Sequence, residues 1–190
     1  PVKSVLDIIQ NDENTHTVVY TSPQFQPCAD TFNEKYAFVG PSIRPVTEEV
    51  IKTKEKLIYI SMGTVVNDMA SLYRKCIKAF SDTDYQVIMS IGDMVDVNEL
   101  GEIPANISVY SHVDQIAVLA KADAFLSHCG MNSVNESLYY GVPLVMYPQT
   151  SEQGGVANRV TQVGAGLMLE KATSEAIRKK KKKVLNDTSY

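Results

Sequence analysis

Residues 125–153 contain the densest structural pattern in the chain. The apolar segment 124–126 is strand-like, Gly130 marks a tight turn, and the residues after the turn are compatible with a helix. Where a strand feeds a helix, unpaired backbone N–H groups and the positive end of the helix dipole collect at the turn. Three polar side chains stand at this point, namely His128, Asn132 and Ser133. The pattern therefore predicts a site for an anion such as phosphate.

The spacing within the helix adds a second chemical feature. Gly130 has no Cβ, so the backbone there can approach a ligand closely. Ser133 and Glu136 are three residues apart and therefore share one helix face. A carboxylate one turn into the helix suits the paired hydroxyls of a ribose better than a phosphate. The order of these residues predicts a nucleoside diphosphate that lies across the edge of a sheet.

From Lys56 onward, apolar strand-like segments alternate with amphipathic ones. Strands are expected at 57–61, 85–91, 107–110, 124–126, 144–147 and 166–169. Helices are expected from Asn67 or Asp68, at 115–120, 132–140 and 153–163, and from Thr173 or Ser174. This alternation predicts a Rossmann-like parallel sheet with helices on both faces. Ligands bind such sheets beyond the strands' carboxyl ends, where Gly63-Thr64, His112-Val113 and 128–130 all fall.

The first 50 residues have a different character. A short helix is expected at 2–9, a strand at 17–21 and an extended piece at 37–39, with several prolines between them. We expect 1–50 to be the remnant of another domain with its linker, and 51–190 to be the ligand-binding domain. A strand without its sheet has unpaired backbone N–H and C=O groups along its edge, so we expect 17–21 to pair again, within its own domain or with another chain.

Several motifs together resemble one family. The run H-x-G-x-x-S-x-x-E from His128 to Glu136 is followed by G-x-P at 141–143, by Pro148 and by Glu152-Gln153. This signature resembles that of UDP-sugar-dependent glycosyltransferases with two Rossmann-like halves, the GT-B architecture, and most of all their bacterial macrolide-type branch. The dense motif is confined to 112–158. The resemblance implies that the chain is the C-terminal, donor-binding half.

The resemblance also implies roles for individual residues. His128, Asn132 and Ser133 would hold the diphosphate, and Glu136 the ribose. Glu152 and Gln153 would grip the donor sugar, while His112 stands where the family often stacks a tryptophan on uracil and the Val113 backbone would read the base edge. The full expected set is Thr64, His112, Val113, Gln115, His128, Gly130, Met131, Asn132, Ser133, Glu136, Glu152 and Gln153.

Plainer interpretations of the same residues stay open. His128 could simply hydrogen-bond a buried carbonyl, Thr64 is equally explained as a turn residue, and Glu136 could be a surface carboxylate. Glu152 and Gln153 also suit a plain helix N-terminus, where the dipole favours an acidic side chain. His128 beside Cys129 is not expected to form a nucleophile–base pair, because adjacent side chains on a turn diverge. The triplet 82–84 resembles a metal-binding D-x-D motif, but it is expected at the opposite edge of the sheet, so no metal site is predicted.

For the reaction, the resemblance implies an inverting, metal-independent transfer of a hexose, with UDP-glucose favoured as donor, to a hydroxyl of a small-molecule acceptor. No further cofactor is required. The catalytic base is expected in an N-terminal acceptor-binding half; His16 does not match it, so no catalytic residue is assigned here and the chain alone is expected to be inactive. The alternatives are a UDP-sugar epimerase domain and a non-catalytic interaction module that binds through residues 1–50.

Charge and cysteines limit the partners. The net charge of −4 gives no reason to expect nucleic acid, and no apolar run is long enough for membrane insertion. Three cysteines without close pairing fit a reduced, cytoplasmic protein. Self-association through residues 1–50 is a further expectation.

One basic run needs its own explanation. Residues 178–183 are six consecutive basic side chains, which on a helix are expected to wrap around the circumference without forming one patch. The stems of Lys180 and Lys181 are expected to cover the core while their ammonium groups reach water. We expect a loosely held C-terminal helix.

Overall fold

The computed structural model describes residues 15–63 and 69–187. The chain divides into two compact units, Pro1–Ser42 and Ile43–Tyr190. The predicted helix at 2–9, the predicted site residue Thr64 and the predicted helix start at Asn67 or Asp68 lie outside the described residues. The functional division into a remnant at 1–50 and a donor-binding domain at 51–190 stays a prediction.

The described part of the first unit contains a small parallel sheet. Strand β1 (Thr17–Val19) pairs with β2 (Tyr36–Phe38), with Val18 opposite Ala37. The ring of Phe32 meets those of Tyr36 and Phe38 edge-on, at centroid distances of 4.9 and 5.7 Å. The strand expected at 17–21 thus pairs within its own chain, one of the two expected outcomes. Val18 remains 53% exposed, and self-association stays a prediction.

The second unit is an open α/β sheet. Its strands are β3 (Lys56–Ser61), β4 (Tyr85–Ser90), β5 (Ile107–Tyr110), β6 (Ala124–Ser127), β7 (Leu144–Met146) and β8 (Gly166–Met168). Its helices are α1 (Ala70–Phe80), α2 (Gln115–Leu119), α3 (Met131–Tyr139), α4 (Ser151–Gln162) and α5 (Ser174–Asn186). The six strands are all parallel, in the order β5-β4-β3-β6-β7-β8. The predicted Rossmann-like sheet is confirmed, with the order that is typical of dinucleotide-binding folds.

The central strands are apolar because both of their faces are covered. Leu57, Ile58, Tyr59 and Ile60 in β3 are each at most 1% exposed, as expected for a strand between two helical layers. The apolar residues that recur at helical spacing along α1 and at its N-cap are all buried: Met69, Leu72, Tyr73, Cys76, Ile77 and Phe80. Helix α1 packs beside α5, which also contacts β6, β7 and β8.

Short polar side chains begin three of the helices. Asp114, Thr150 and Thr173 accept hydrogen bonds from the backbone N–H groups of Ala117, Gln153 and Ala176, at 3.1–3.2 Å. Each bond satisfies a donor that the helix itself leaves unpaired. The start of the last helix at Thr173 or Ser174 is confirmed. The remaining predicted boundaries of this unit agree to within one or two residues.

The expectation that the ammonium groups of Lys180 and Lys181 reach water is wrong for Lys181. Lys181 is 4% exposed, and its Nζ lies 3.9 Å from the ring centroid of Tyr85 and 5.3 Å from that of Phe80. Its ammonium therefore sits over aromatic faces instead of reaching water. Lys179, Lys180 and Lys183 line one common groove, because helical positions three and four apart share a face.

Candidate functional site

One cleft lies at the point in the sheet where the strand order reverses. Strand β3 continues to β4 on one side of the sheet, whereas β6 continues to β7 on the other. Connections leave in opposite directions at this switch point, which opens a crevice beyond the carboxyl ends of the strands. The cleft has a volume of about 470 Å³. It is lined by Tyr59, Ser61, Gly63, Ser90, His112, Val113, Gln115, His128, Gly130, Met131, Asn132 and Ser133.

Eight residues of the predicted set therefore lie around one cleft. They are His112, Val113, Gln115, His128, Gly130, Met131, Asn132 and Ser133. They come from three chain segments, the ends of β5 and β6 and the first turn of α3. The parallel sheet brings these segments together because its carboxyl ends share one edge. What these residues bind stays a prediction.

Three serines at this edge were missed at the level of sequence. Strands β3, β4 and β6 each end in serine, and Ser61 lies opposite both Ser90 and Ser127 in the strand register. The residues Ser61 and Ser90 line the cleft floor. The signal was present in the sequence, because each of these serines directly follows three or four consecutive apolar residues of its strand.

The His128 imidazole is held between two glycines. A Cβ placed on Gly63 would lie 2.7 Å from its Nε2, and one placed on Gly130 would lie 2.6 Å from the same atom. Both distances are well below a van der Waals contact, so only glycine fits at either position while the ring keeps its place. Gly63 also has a positive φ of 73°. The space that Gly130 was predicted to leave for a ligand is thus partly taken by His128.

His128 carries a buried polar atom that has no partner among the residues the structure describes. Its Nδ1 makes no hydrogen bond with any of the described residues. Burial lowers the pKa of His128 below its ordinary value of 6.5, although a hydrogen bond between the ring and the Ser61 backbone and, more weakly, the Glu152 carboxylate act in the opposite direction. The ring is therefore neutral at neutral pH. A buried, unsatisfied nitrogen beside a cleft is a feature that a ligand would satisfy.

The turn between β6 and α3 is built differently from the prediction. The residue in the left-handed region is Cys129, with φ 68°, whereas Gly130 has φ −61° and forms the N-cap of α3. A buried non-glycine residue in this region is strained, and its N–H donates to Ser127 Oγ at 3.1 Å. Burial raises the pKa of the Cys129 thiol to about 12. The thiol therefore stays protonated, in agreement with the expectation that it is no nucleophile.

The first turn of α3 faces the cleft. The helix begins at Met131, one residue before the predicted start, and no side chain caps it. The first N–H groups of a helix have no partner within it, and Met131, Asn132 and Ser133 all line the cleft. A nine-residue helix with an uncapped start therefore directs its positive dipole end at this space.

Gln115 connects the two halves of the cleft. Its Nε2 donates to Ser133 Oγ at 3.2 Å and to Glu136 Oε2 at 2.5 Å, and its Oε1 accepts from the Tyr59 hydroxyl at 3.1 Å. Ser133 and Glu136 thus share a helix face, as the spacing predicts. Burial raises the pKa of Tyr59, so its hydroxyl stays protonated and donates. The network fixes the Glu136 carboxylate at the edge of the cleft that holds His128.

The start of α2, which carries Gln115, is anchored from outside the cleft. The Asp114 side chain is 6% exposed, and it accepts a hydrogen bond from the Arg44 guanidinium as well as from the Ala117 N–H. Burial alone would raise the pKa of Asp114, but these two hydrogen bonds outweigh it and the net shift is downward. No local pattern indicated Arg44, because 70 residues separate it from Asp114.

The last two predicted residues lie apart from the cleft lining. The Gln153 side chain is buried, and its Oε1 accepts from the backbone N–H of Gln149 at 2.8 Å. Glu152 is exposed in the first turn of α4, yet near enough to influence His128. In this conformation Gln153 holds its own loop, and the role of both residues in sugar binding stays a prediction.

A second groove, of about 530 Å³, lies along the face of α5 that carries Lys179, Lys180 and Lys183. Leu167 and Ala176 line it together with Glu170, Lys171, Lys179, Lys180 and Lys183, and Lys180 pairs with Glu170 at 3.0 Å. None of the predicted site residues lies there. Within the described ranges, no group of three His, Cys, Asp or Glu residues could hold a metal ion, and Asp84 of the D-x-D triplet pairs with Lys54.

The sheet order and the cleft at the switch point define a Rossmann-like domain of the GT-B type. The chain belongs to the UDP-glucoronosyl and UDP-glucosyl transferase family, whose model matches residues 44–190. It is therefore a member of a glycosyltransferase family. None of the helices within the described residues is long and apolar enough to cross a membrane.

Individual relatives agree with this assignment. The chain is 38% identical to YojK of Bacillus subtilis, which is named an uncharacterized UDP-glucosyltransferase, and the match includes all of this chain and 48% of that protein. It is 44% identical to the NDP-glycosyltransferase YjiC of the same organism, over 81% of this chain and 40% of that protein. The crystal structure of CalG4, the calicheamicin glycosyltransferase, superposes on 99% of the chain with a TM-score of 0.85 at 30% identity. The chain spans about half the length of the relatives it matches.

Proposed function

We propose that this chain is the donor-binding half of an inverting, metal-independent glycosyltransferase, and that its cleft binds a UDP-hexose. The observation that carries the proposal is the buried His128 Nδ1 without a partner among the described residues, beside the uncapped start of α3. A diphosphate would satisfy both, because it accepts N–H donors and its charge matches the helix dipole. The name of YojK, a UDP-glucosyltransferase, supports UDP-glucose as the donor.

The residues divide the ligand among them. The N–H groups of α3 with Asn132, Ser133 and His128 would bind the two phosphoryl groups. Glu136, held by Gln115, would accept hydrogen bonds from the ribose hydroxyls, and His112 with Val113 would contact the base. Glu152 and Gln153 would reach the sugar after the α4 loop rearranges, since Gln153 Oε1 now bonds to Gln149.

The chemical task of this half is to stabilise the leaving group. When the acceptor oxygen attacks the anomeric carbon, the bond to the diphosphate breaks and negative charge grows on UDP. Fixed N–H donors at a helix start stabilise that charge without reorganisation and without a metal ion. The histidine base that deprotonates the small-molecule acceptor would belong to an N-terminal half, so the chain alone would bind donor and transfer nothing.

The reducing cytoplasm is the proposed location of the protein. Cys28, Cys76 and Cys129 are all free thiols, and such thiols persist where glutathione and thioredoxin keep proteins reduced.

Isothermal calorimetry with UDP tests the proposal. We expect UDP and UDP-glucose to bind, and Glu136→Ala to weaken UDP about 10–100-fold, because hydrogen bonds to a charged group contribute about 1.5–3 kcal/mol. Glu175→Ala is the matched control, since it removes an exposed carboxylate from the first turn of α5 and should leave affinity unchanged. Absence of binding heat for UDP and UDP-glucose would contradict the proposal.

A further inference from the structure

The base end of the cleft contains a hydrogen-bonded side-chain pair that neither the motif nor the family match explains. His112 Nε2 lies 2.8 Å from Asp93 Oδ1. His112 lines the cleft, whereas Asp93 is absent from the cleft lining and sits in the segment after β4. The carboxylate therefore contacts the imidazole from outside the ligand space.

The backbone fixes the distance between these two residues. Beyond the ends of β4 and β5, the N–H of Ile91 donates to the Tyr110 carbonyl and the N–H of Gly92 to the Ser111 carbonyl, both at 2.9 Å. Backbone hydrogen bonding between the two segments thus continues up to the residues that precede Asp93 and His112. The side-chain pair is consequently supported by backbone hydrogen bonds just beyond the sheet.

The hydrogen bond restricts both the orientation and the tautomer of the ring. A carboxylate only accepts, so Nε2 must carry the proton and a neutral ring has its lone pair on Nδ1. An imidazole offers a smaller stacking face than an indole. Holding the imidazole in place before the ligand arrives lowers the side-chain entropy that is lost on binding, which partly offsets its smaller stacking area.

We propose that Asp93 is a positioning residue for the nucleobase end of the cleft, which holds the His112 imidazole against the base of the donor nucleotide. The proposal rests on the proposed function, since it requires a nucleotide in the cleft. It assigns specificity for the base to a hydrogen-bonded pair. Asp93 itself touches no ligand and acts only through His112.

The test compares two ligands, UDP and ribose 5-diphosphate, which lacks the base. We expect Asp93→Ala to weaken UDP about 3–10-fold, the usual value of one solvent-accessible hydrogen bond, and to leave ribose 5-diphosphate unchanged. Asp93→Asn should stay within about twofold of the unchanged chain, since the amide oxygen accepts the same bond. Asp93 is 75% exposed on its side chain, so neither substitution should disturb folding.

A double-mutant cycle then separates positioning from a general effect. In a His112→Phe background, Asp93→Ala should have no effect on UDP, because a phenyl ring can stack on a base but has no nitrogen to donate to the carboxylate. The proposal is overturned if Asp93→Ala leaves UDP binding unchanged, weakens both ligands equally, or costs as much in the His112→Phe background as in the unchanged chain. It is also overturned if Asp93→Asn weakens UDP as much as Asp93→Ala does. Failure of the unchanged chain to bind either ligand would instead refute the proposed function.

Discussion

The cleft around His128 and the helix contact around Lys181 each bury a basic side chain, but they treat it in opposite ways. Burial lowers the pKa of both groups, that of Lys181 to about 8. The Lys181 ammonium lies over the rings of Tyr85 and Phe80, whereas His128 Nδ1 has no partner among the described residues. Burial of a basic side chain therefore does not by itself indicate a ligand-binding site. A buried polar atom that lacks a partner beside an open cleft is the stronger indication.

The largest effect expected from this difference comes from moving the His128 ring. Gly130→Ala would place a Cβ 2.6 Å from its Nε2, so the ring must turn away. Because the backbone at Gly130 has an ordinary φ of −61°, alanine itself is tolerated there. We expect the domain to fold and UDP affinity to fall about 10–100-fold, the value of a lost charge-assisted hydrogen bond. Calorimetry with UDP measures it.

Gly154→Ala is the matched control for that substitution. No atom lies within 4 Å of a Cβ added at Gly154, which is inside α4. Alanine there should stabilise the helix by up to about 1 kcal/mol and leave UDP affinity unchanged. Equal UDP binding by Gly130→Ala and the unchanged chain would show that the position of His128 does not matter.

The next effect is expected at Lys181 and concerns stability alone. Lys181→Met removes a buried charge and keeps the volume of an unbranched side chain, so the free energy of unfolding at pH 7 should rise by about 1–2 kcal/mol. UDP affinity should not change. Urea unfolding measures the free energy of unfolding. The control is Lys179→Met, which alters an exposed lysine on the same helix and should change that free energy by no more than about 0.5 kcal/mol. A loss of stability in Lys181→Met would mean that the ring contacts outweigh the cost of burial.

The smallest effect expected is on the pH dependence of unfolding. The folded-state pKa of His128 is below 6.5, so the unfolded chain binds more protons and stability falls as pH drops below about 6.5. The folded-state pKa of Lys181 is about 8 against an ordinary 10.5, so by the same argument this group raises stability between pH 8 and 9. Above pH 9 the buried Cys76 and Cys129 thiols, whose pKa is raised from 9.0 to about 12, act in the opposite direction. Each change should be modest, with that of His128 below about 1 kcal/mol because the ring is partly solvated.

Two substitutions assign these steps in unfolding curves recorded across pH. His128→Gln should abolish the acidic loss and Lys181→Met the alkaline rise, each without affecting the other. Persistence of the acidic loss in His128→Gln would assign it to a different group.

The accuracy of the sequence predictions follows the range of the interactions involved. The strands from β3 to β8 and the last helix follow from local periodicity and capping residues, and they were predicted to within one or two residues. The contacts inside the site depend on distant segments: Gln115 meets Glu136 across 21 residues, and His112 meets Asp93 across 19. Neither pair is visible in a local pattern, because both depend on the neighbours that each strand has in the sheet.

The fate of individual side chains was the least predictable feature. The pattern identified Gly130 as a turn residue, but the left-handed conformation falls on Cys129, and Gly130 is needed for the His128 ring. Lys181 was expected to reach water, yet it fills a place between α1 and α5. Packing against a neighbouring element decides such cases, and amphipathic side chains fit either environment.

By itself, the sequence determined the alternation of strands and helices, the edge at which polar turn residues collect and the spacing of Ser133 and Glu136 on one helix face. These features depend on backbone periodicity and on residues that are close in the chain. Only the tertiary structure decided that β3 and β6 are neighbours, that the His128 ring lies between two glycines, and that Gln115 and Asp93 hold the two ends of the cleft. Those features arise from the order of strands in the sheet, which depends on the packing of all the layers together.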